Sequence, residues 1–399
     1  VTAPLLPYGR QSIGEDDVAA VAAVLRSDFL TTGPTAARFE EEVAKRVGAK
    51  FAASCSSGTA ALHLAALALG LGKGDRVVVP TLTFLATANA ARYVDAEVVF
   101  ADVDPETGLM TDETLTEALE RAGGAAAVFP VHLNGQCADM AAIEEIARRE
   151  RLKIVEDASH ALGTTDESSG APVPVGSCKH SELTIFSFHP VKTIAMGEGG
   201  AVTTNDARLH ERLARFRNHG ILRDEARMAN GELAFDAEGA LNPWYYEMPE
   251  PGFNYRASDI HCALGLSQLG KLGAFVARRR QLAAHYDAAL EPLAPIVRPV
   301  ARVSDCTPAW HLYAARIDFA GAGVTRAQVM ARLKAEGIGS QVHYLPVHLQ
   351  PYYARRYGAS ELPGARAYYE RALSLPLFPA MADADVARVV GALKRALGV

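Results

Sequence analysis

From Phe51 to about Asn205, short apolar runs alternate with stretches whose apolar residues recur at helical spacing. The strand-like runs are Arg76-Val-Val-Val-Pro80, Glu97-Val-Val-Phe100, Ala127-Val-Phe-Pro130, Lys153-Ile-Val155, Leu183 to Phe188 and Gly200-Ala-Val-Thr-Thr204. Between them the pattern predicts helices near Gly58–Leu69, Ala86–Tyr93, Asp112–Arg121 and Met140–Arg149. Strands that alternate with helices and read as continuous apolar runs belong in a mainly parallel sheet covered on both faces, the α/β class. Ahead of this region Val18, Val21, Ala22 and Leu25 fall on one face of a helix over Asp16–Ser27. Leu30-Thr-Thr-Gly-Pro34 then reads as a turn.

Beyond the sheet region the pattern loosens. Glu232 to Tyr255 is irregular and aromatic and is expected to be a long functional loop. A long helical pattern follows from Ser258 towards Leu290; its charge cluster Arg278-Arg-Arg280 is expected on a solvated face. Pro292 to Val399 reads as a smaller α+β unit ending in a helix with Val386, Val389, Val390 and Leu393 on one side. The expected division is a large domain over residues 1–260 and a small C-terminal domain over 261–399, begun by the long connecting helix.

Composition narrows the function. The chain has 399 residues, 49% hydrophobic and 22% charged, enough for two domains and a sizeable core. With 40 basic and 46 acidic side chains the net charge is −6, which gives no electrostatic case for nucleic acid. The longest apolar stretch, around Ala60 to Leu71, is interrupted by His63 and is too short to span a bilayer. Val1-Thr-Ala-Pro-Leu-Leu-Pro7 lacks the basic start and apolar core of a secretory signal. Cys55, Cys137, Cys178, Cys262 and Cys306 are widely spaced and form no CxxC, so reduced thiols in a cytoplasmic protein are expected. The histidines are scattered, and no metal site is expected. A nicotinamide dehydrogenase is disfavoured: no GxGxxG follows the first strand, and Gly70-Leu-Gly-Lys-Gly74 has the wrong spacing.

The chemistry centres on Lys192. It sits just past an apolar run, Leu183-Thr-Ile-Phe-Ser-Phe-His-Pro-Val-Lys192, and before the glycine cluster Gly197-Glu-Gly-Gly200. A desolvated lysine loses its charge readily and can bond covalently to a carbonyl carbon. Asp157 ends the earlier run Leu152-Lys-Ile-Val-Glu-Asp157. An amine and a carboxylate at two strand ends are what pyridoxal phosphate needs, one for its aldehyde and one for its pyridinium nitrogen. Other residues fit the same ligand, each with an ordinary structural alternative. Cys55-Ser-Ser-Gly-Thr59 opens a helix whose N-terminus carries roughly half a positive charge, suited to phosphate or to simple capping. Ser187 is a second phosphate contact or a polar strand end. Phe84 stacks on a flat ring or belongs to the core. His160 bonds a ring substituent or is a satisfied core histidine.

In order along the chain these segments resemble the sugar aminotransferases related to DegT, DnrJ, EryC and StrS, a branch of the fold-type-I pyridoxal phosphate enzymes. Matching pieces are Ser57-Gly-Thr-Ala-Ala-Leu-His-Leu64, Pro80 to Ala90, Asp102-Val-Asp-Pro105, Val131-His-Leu-Asn-Gly-Gln136, Val155-Glu-Asp-Ala-Ser-His160, Ser187 to Gly200 and Gly252-Phe-Asn-Tyr-Arg256. The resemblance implies that Lys192 binds the cofactor covalently and that Asp157 is the pyridinium partner. It implies further that Gly58, Thr59 and Ser187 hold the phosphate, Phe84 stacks on the ring and His160 meets its phenolic oxygen. Asn254 resembles the residue that reaches the phosphate from a neighbouring subunit, which implies a homodimer with shared sites. Some family members carry histidine in place of the lysine and dehydrate sugars; Lys192 argues for transamination.

The implied reaction cycles the cofactor between pyridoxal 5′-phosphate and pyridoxamine phosphate, with an amino acid donor, expected to be L-glutamate, and a ketosugar acceptor. Pro7-Tyr-Gly-Arg-Gln11, Leu30-Thr-Thr-Gly33, Phe188-His-Pro-Val-Lys192 and Gly339-Ser-Gln-Val-His-Tyr-Leu-Pro-Val-His348 look most like the C4-aminating, pseudaminic-acid-pathway branch acting on UDP-linked 4-keto-6-deoxy-N-acetylhexosamines. Tyr8, Leu30, Thr31, Thr32, Gly33, Gln341, His343 and Tyr344 are thereby implied at the nucleotide-sugar site. For His343 and Tyr344 packing at the domain junction is the alternative, and Asn230 to Glu250 is an insert able to reshape the acceptor pocket. A GDP-4-keto-6-deoxymannose aminotransferase and a non-catalytic cofactor-binding regulator are the competing functions.

Overall fold

A computed structural model describes residues 5–399; Val1-Thr-Ala-Pro4, part of the stretch read for a secretory signal, lies outside them. Seven strands form the large sheet: β1 (Phe51–Cys55), β2 (Arg76–Pro80), β3 (Glu97–Ala101), β4 (Ala127–Val128), β5 (Lys153–Asp157), β6 (Leu183–Ser187) and β7 (Gly200–Thr204). Their order is β1-β7-β6-β5-β4-β2-β3. Pairings from β6 across to β3 are all parallel, and β7 runs antiparallel to both of its neighbours. Helices cover both faces, which is why Val77, Val78 and Val79 are all fully buried despite alternating sides. The helix Gly58–Leu69 is apolar all round and correspondingly buried through most of its length.

The sheet aligns the chemistry. Cys55 pairs with Gly200, Gly200 with Ser187, and Ile185 with Asp157. The carboxyl ends of β1, β5 and β6 therefore open at one edge, where ligands of open α/β sheets bind.

A second, three-stranded antiparallel sheet runs Val297–Pro299, Tyr313–Ile317, Ala372–Leu375. It packs with the helix Asp383–Leu397, whose Val386, Val389, Val390 and Leu393 are buried as the periodicity predicts. Leu6 joins this core and bridges to Ile338, so the amino-terminal strap lies on the carboxyl-terminal part of the chain. The helix Leu272–Leu290 gives Leu272 and Val276 to a cluster under the large sheet, and Leu282, Ala283, Tyr286 and Leu290 to the second core.

Three sequence expectations are corrected. The long helix from Ser258 is two helices, Asp259–Gly270 and Leu272–Leu290, bent by 59° at Lys271. Glycine at 270 weakens the helix there, and the Lys271 ammonium is pulled to Asp16 (2.6 Å) and Asp17 (2.7 Å) of the first helix, Glu15–Leu25. The arginine cluster is not a solvated face. Arg279 is fully buried and donates to the carbonyls of Trp310 (3.3 Å), His311 (3.1 Å) and Leu377 (3.0 Å). Arg278 pairs with Asp383, and Arg280 donates to Pro308 and Thr307 carbonyls. Segments without regular partners supply bare carbonyls, and only a long cation reaches several at once. Finally, Pro34 starts a helix, Pro34–Val47, whose Phe39, Val43, Ala44 and Val47 are buried.

Among the described residues no single helix is long and apolar enough to cross a membrane, and all five cysteines are buried and free.

Candidate active site

A cavity of about 480 Å³ opens at the carboxyl edge of the sheet. Its lining joins Ser57, Gly58 and Thr59, Phe84, Asp157, His160, Ser187 and Lys192 with Tyr8, Gln341, His343 and Tyr344. Residues expected from separate segments thus meet in one place.

At the end of β1, Ser57 caps the helix Gly58–Leu69, its hydroxyl accepting from the Ala60 amide at 3.1 Å. The capping alternative is therefore correct for Ser57, while the same turn also faces the cavity. Gly58 is required by close approach: a Cβ there would lie 2.7 Å from the Ser187 Cβ. Gly200 is equally constrained, since a Cβ would collide with the Ser57 carbonyl. This pair of glycines presses the helix N-terminus against the end of β6 and leaves its amides facing the cavity, an anion cradle.

Asp157 is 4% exposed, yet each carboxylate oxygen has a donor. Thr87 Oγ1 donates to Oδ2 at 2.7 Å and the Ser159 amide to Oδ1 at 3.1 Å, with Thr83 and Thr87 hydroxyls 2.8 Å apart behind them. This buried, held anion is suited to a protonated ring nitrogen. Lys192 is set by a turn in which its amide donates to the His189 carbonyl at 2.8 Å. Burial pushes its ammonium down to about 8, against the opposing pull of Asp157. Phe84, just before the helix Leu85–Tyr93, is 55% exposed, and that exposure faces the cavity.

His160 is not a satisfied core histidine. Its Nε2 meets the Tyr344 hydroxyl at 3.1 Å, while its buried Nδ1 has no partner. The ring lies 4.4 Å from His311, whose Nδ1 is also buried and unpartnered. Burial, reinforced by the Lys192 charge, holds both imidazoles well below the usual range. His343 is pushed down to about 3 by the same two causes, and its Nδ1 pairs with the Ser374 hydroxyl at 2.8 Å. Burial raises Tyr344 and Tyr8. His160, His311 and His343 therefore stand as neutral imidazoles, with two phenols, around one labile amine.

Several expected residues lie elsewhere. Leu30, Thr31, Thr32 and Gly33 are absent from the lining; the Leu30 carbonyl and the Gly33 amide are tied to Asp259 at 3.0 and 2.8 Å. Asn254 is exposed, bridges Asn218 and does not line the cavity of its own chain. Nothing from Asn230 to Glu250 lines it either. Sequence reasoning missed His311, Thr87, Ser159 and Glu198. Thr87, four residues from Thr83, carried a weak signal; His311, in Pro308-Ala-Trp-His311, carried none.

The lining fits pyridoxal phosphate on its own geometry: an anion cradle that a Cβ at Gly58 would fill, an exposed aromatic face at Phe84, an orphaned ring nitrogen on His160, and Lys192 with Asp157 in one cavity. Comparison with known proteins agrees. Residues 11–394 match the DegT/DnrJ/EryC1/StrS aminotransferase family. The chain is 39% identical over 392 residues to the spore coat polysaccharide biosynthesis protein SpsC of Bacillus subtilis (98% of this chain, 96% of SpsC). It is 38% identical over 405 residues to the UDP-4-amino-4-deoxy-L-arabinose–oxoglutarate aminotransferase of Shewanella sediminis (98% of each). Among solved structures, Helicobacter pylori PseC, an aminotransferase of pseudaminic acid biosynthesis, superposes with TM-score 0.88 at 27% identity, covering 99% of each chain. The sugar aminotransferase Spr1654 of Streptococcus pneumoniae, in its PLP form, gives TM-score 0.85 at 26% identity (99% of each chain), and its PMP form 0.86. This chain is a pyridoxal-phosphate-dependent transaminase of nucleotide sugars and belongs to the DegT/DnrJ/EryC1/StrS aminotransferase family.

Proposed function

We propose that the enzyme transfers the amino group of an amino acid, L-glutamate, to C4 of a UDP-linked 4-keto-6-deoxy-N-acetylhexosamine. One observation carries the reading: Lys192 and Asp157 share a cavity with Tyr8, Gln341, His343 and Tyr344, the residues that resemble the C4-aminating branch. The similarity to PseC and to a UDP-sugar aminotransferase supports it.

When bound, the cofactor supplies an aldehyde carbon for a covalent bond to nitrogen and a ring that absorbs carbanion charge. Lys192 carries that bond at rest. Released by the donor, its Nζ would take the proton from the donor α-carbon and, in the second half, return a proton to sugar C4. A value of about 8 leaves about a tenth of the amine neutral at pH 7, so Lys192 is poised to act in either direction. Asp157 would keep the ring nitrogen protonated, its carboxylate held in place by Thr87 and Ser159. The amides and hydroxyls of Gly58, Thr59 and Ser187 would hold the phosphate, Phe84 would cover a ring face, and the unpartnered Nδ1 of His160 would be free to meet the phenolic oxygen. Asn254, exposed and outside its own cavity, serves the site of a second subunit in a homodimer.

The test is a panel of nucleotide ketosugars incubated with enzyme and L-glutamate, the products read by mass spectrometry and NMR. Amination at C4 of the UDP-N-acetylhexosamine is expected; preferential amination of GDP-4-keto-6-deoxymannose, or at C3, would replace this reading.

A further inference from the structure

The cavity has a charge deficit. Among the described residues of one chain, Lys192 is the cation of the lining, and it must lose its proton to work, while Asp157 and Glu198 contribute carboxylates and no arginine lines the wall. His160, His311 and His343 are held neutral by burial. On the function proposed above, on which this inference rests, the acceptor nonetheless brings a diphosphate. Its anion needs a cation, and within one chain the lining supplies none besides Lys192.

The amino-terminal strap offers one. It is fixed at several points: the Leu6 amide donates to the Gly337 carbonyl at 2.8 Å, the Gly339 amide to Leu6 at 2.8 Å, the Leu377 amide to Tyr8 at 3.0 Å, and Gln268 Nε2 to the Ser12 carbonyl at 2.9 Å. Tyr8 lines the cavity, and a Cβ at Gly9 would lie 3.4 Å from the Cβ of Val191, itself a lining residue. Arg10 therefore stands on a tethered base at the rim. It is exposed, and among the described residues it makes no hydrogen bond or ion pair. Arg217 is committed to Glu40, Arg256 to Asn218 and Arg279 to buried carbonyls.

We infer that Arg10 binds the diphosphate of the nucleotide sugar. The position favours this anion over the donor's. A donor α-carboxylate is one bond from the reacting carbon and must sit at the cavity floor beside Lys192. The diphosphate is a hexose ring away from the aminated carbon and falls at the rim. A guanidinium also matches paired phosphate oxygens through its forked donors.

The experiment uses cofactor-loaded wild type, Arg10→Gln and Arg10→Lys. UDP binding is measured by calorimetry, and each half-reaction is followed by cofactor absorbance. Arg10→Gln is expected to weaken UDP binding and raise the nucleotide-sugar KM about 10–100-fold, the scale of a charge-assisted hydrogen bond. The glutamate half-reaction should keep its KM, and Arg10→Lys should recover part of the loss. Added salt should weaken UDP binding more in wild type than in Arg10→Gln. Unchanged UDP affinity in Arg10→Gln, or a KM change for glutamate instead, overturns the inference. A wild type that binds UDP yet aminates no ketosugar sinks the functional reading, while the UDP comparison still decides the role of Arg10.

Discussion

Replacing Gly58 with alanine separates cofactor binding from folding. A Cβ at that position lies 2.7 Å from the Ser187 Cβ and 3.1 Å from its hydroxyl. Rotating Ser187 moves only the hydroxyl, so the helix start and the end of β6 must part by roughly 1 Å to reach ordinary contact. Overpacking of this kind costs about 1–3 kcal/mol, offset by about 1 kcal/mol gained when alanine replaces a helical glycine. Stability therefore falls by at most ~2 kcal/mol. Cofactor affinity falls more steeply, because the displaced turn no longer points its amides and the Ser187 hydroxyl at one phosphate. Losing one charge-assisted hydrogen bond of about 1.5–3 kcal/mol weakens binding roughly 10–150-fold. The assay is titration of apoprotein with pyridoxal phosphate in a Lys192→Ala background, where covalent capture does not mask the phosphate contribution. Gly270→Ala is the control: its Cβ meets nothing within 4 Å, and affinity should not move. Wild-type affinity in Gly58→Ala, or an equal loss in Gly270→Ala, would refute the cradle.

Lys192, pushed down to about 8 by burial, should capture pyridoxal phosphate at a rate that falls about tenfold per pH unit below 8 and levels off above it; stopped-flow absorbance that stays flat down to pH 5 would contradict this. Asp157→Asn should slow the glutamate half-reaction by ~10²–10⁴-fold. Thr87→Val, which leaves one buried oxygen of Asp157 without its donor, should slow it by about 10–100-fold, measured in single turnovers. Arg279→Met strands the carbonyls of Trp310, His311 and Leu377 and should destabilise the fold by about 3–5 kcal/mol in denaturant titration.

Much of the large sheet is legible because buried parallel strands are continuous apolar runs: β2 to β7 follow from them, within a few residues. β1 does not, since Phe51-Ala-Ala-Ser-Cys55 is built of small residues with little strand preference; its place is fixed by pairing with β7. The helix Pro34–Val47 starts on a proline after Gly33, a signal that serves a turn and a helix N-terminus equally. The bend at Lys271 depends on Asp16 and Asp17, more than 200 residues away in sequence, and no local pattern reveals it. The buried Arg279 fails for the same reason: charge predicts exposure until distant carbonyls supply partners. In the site, residues at strand ends were recoverable because position and chemistry coincide there. His311 reaches the cavity through tertiary packing alone, and Leu30 to Gly33, which resemble a substrate loop, hold Asp259 and stay off the lining of their own chain.

The central claim is that Lys192 is the nitrogen bonded to the cofactor. Reduction of the loaded enzyme with borohydride, followed by proteolysis and peptide mass spectrometry, tests it directly. A single phosphopyridoxyl label on Lys192 is predicted, lost in Lys192→Ala. Labelling of another lysine, or a protein that takes up no cofactor at all, would contradict the account.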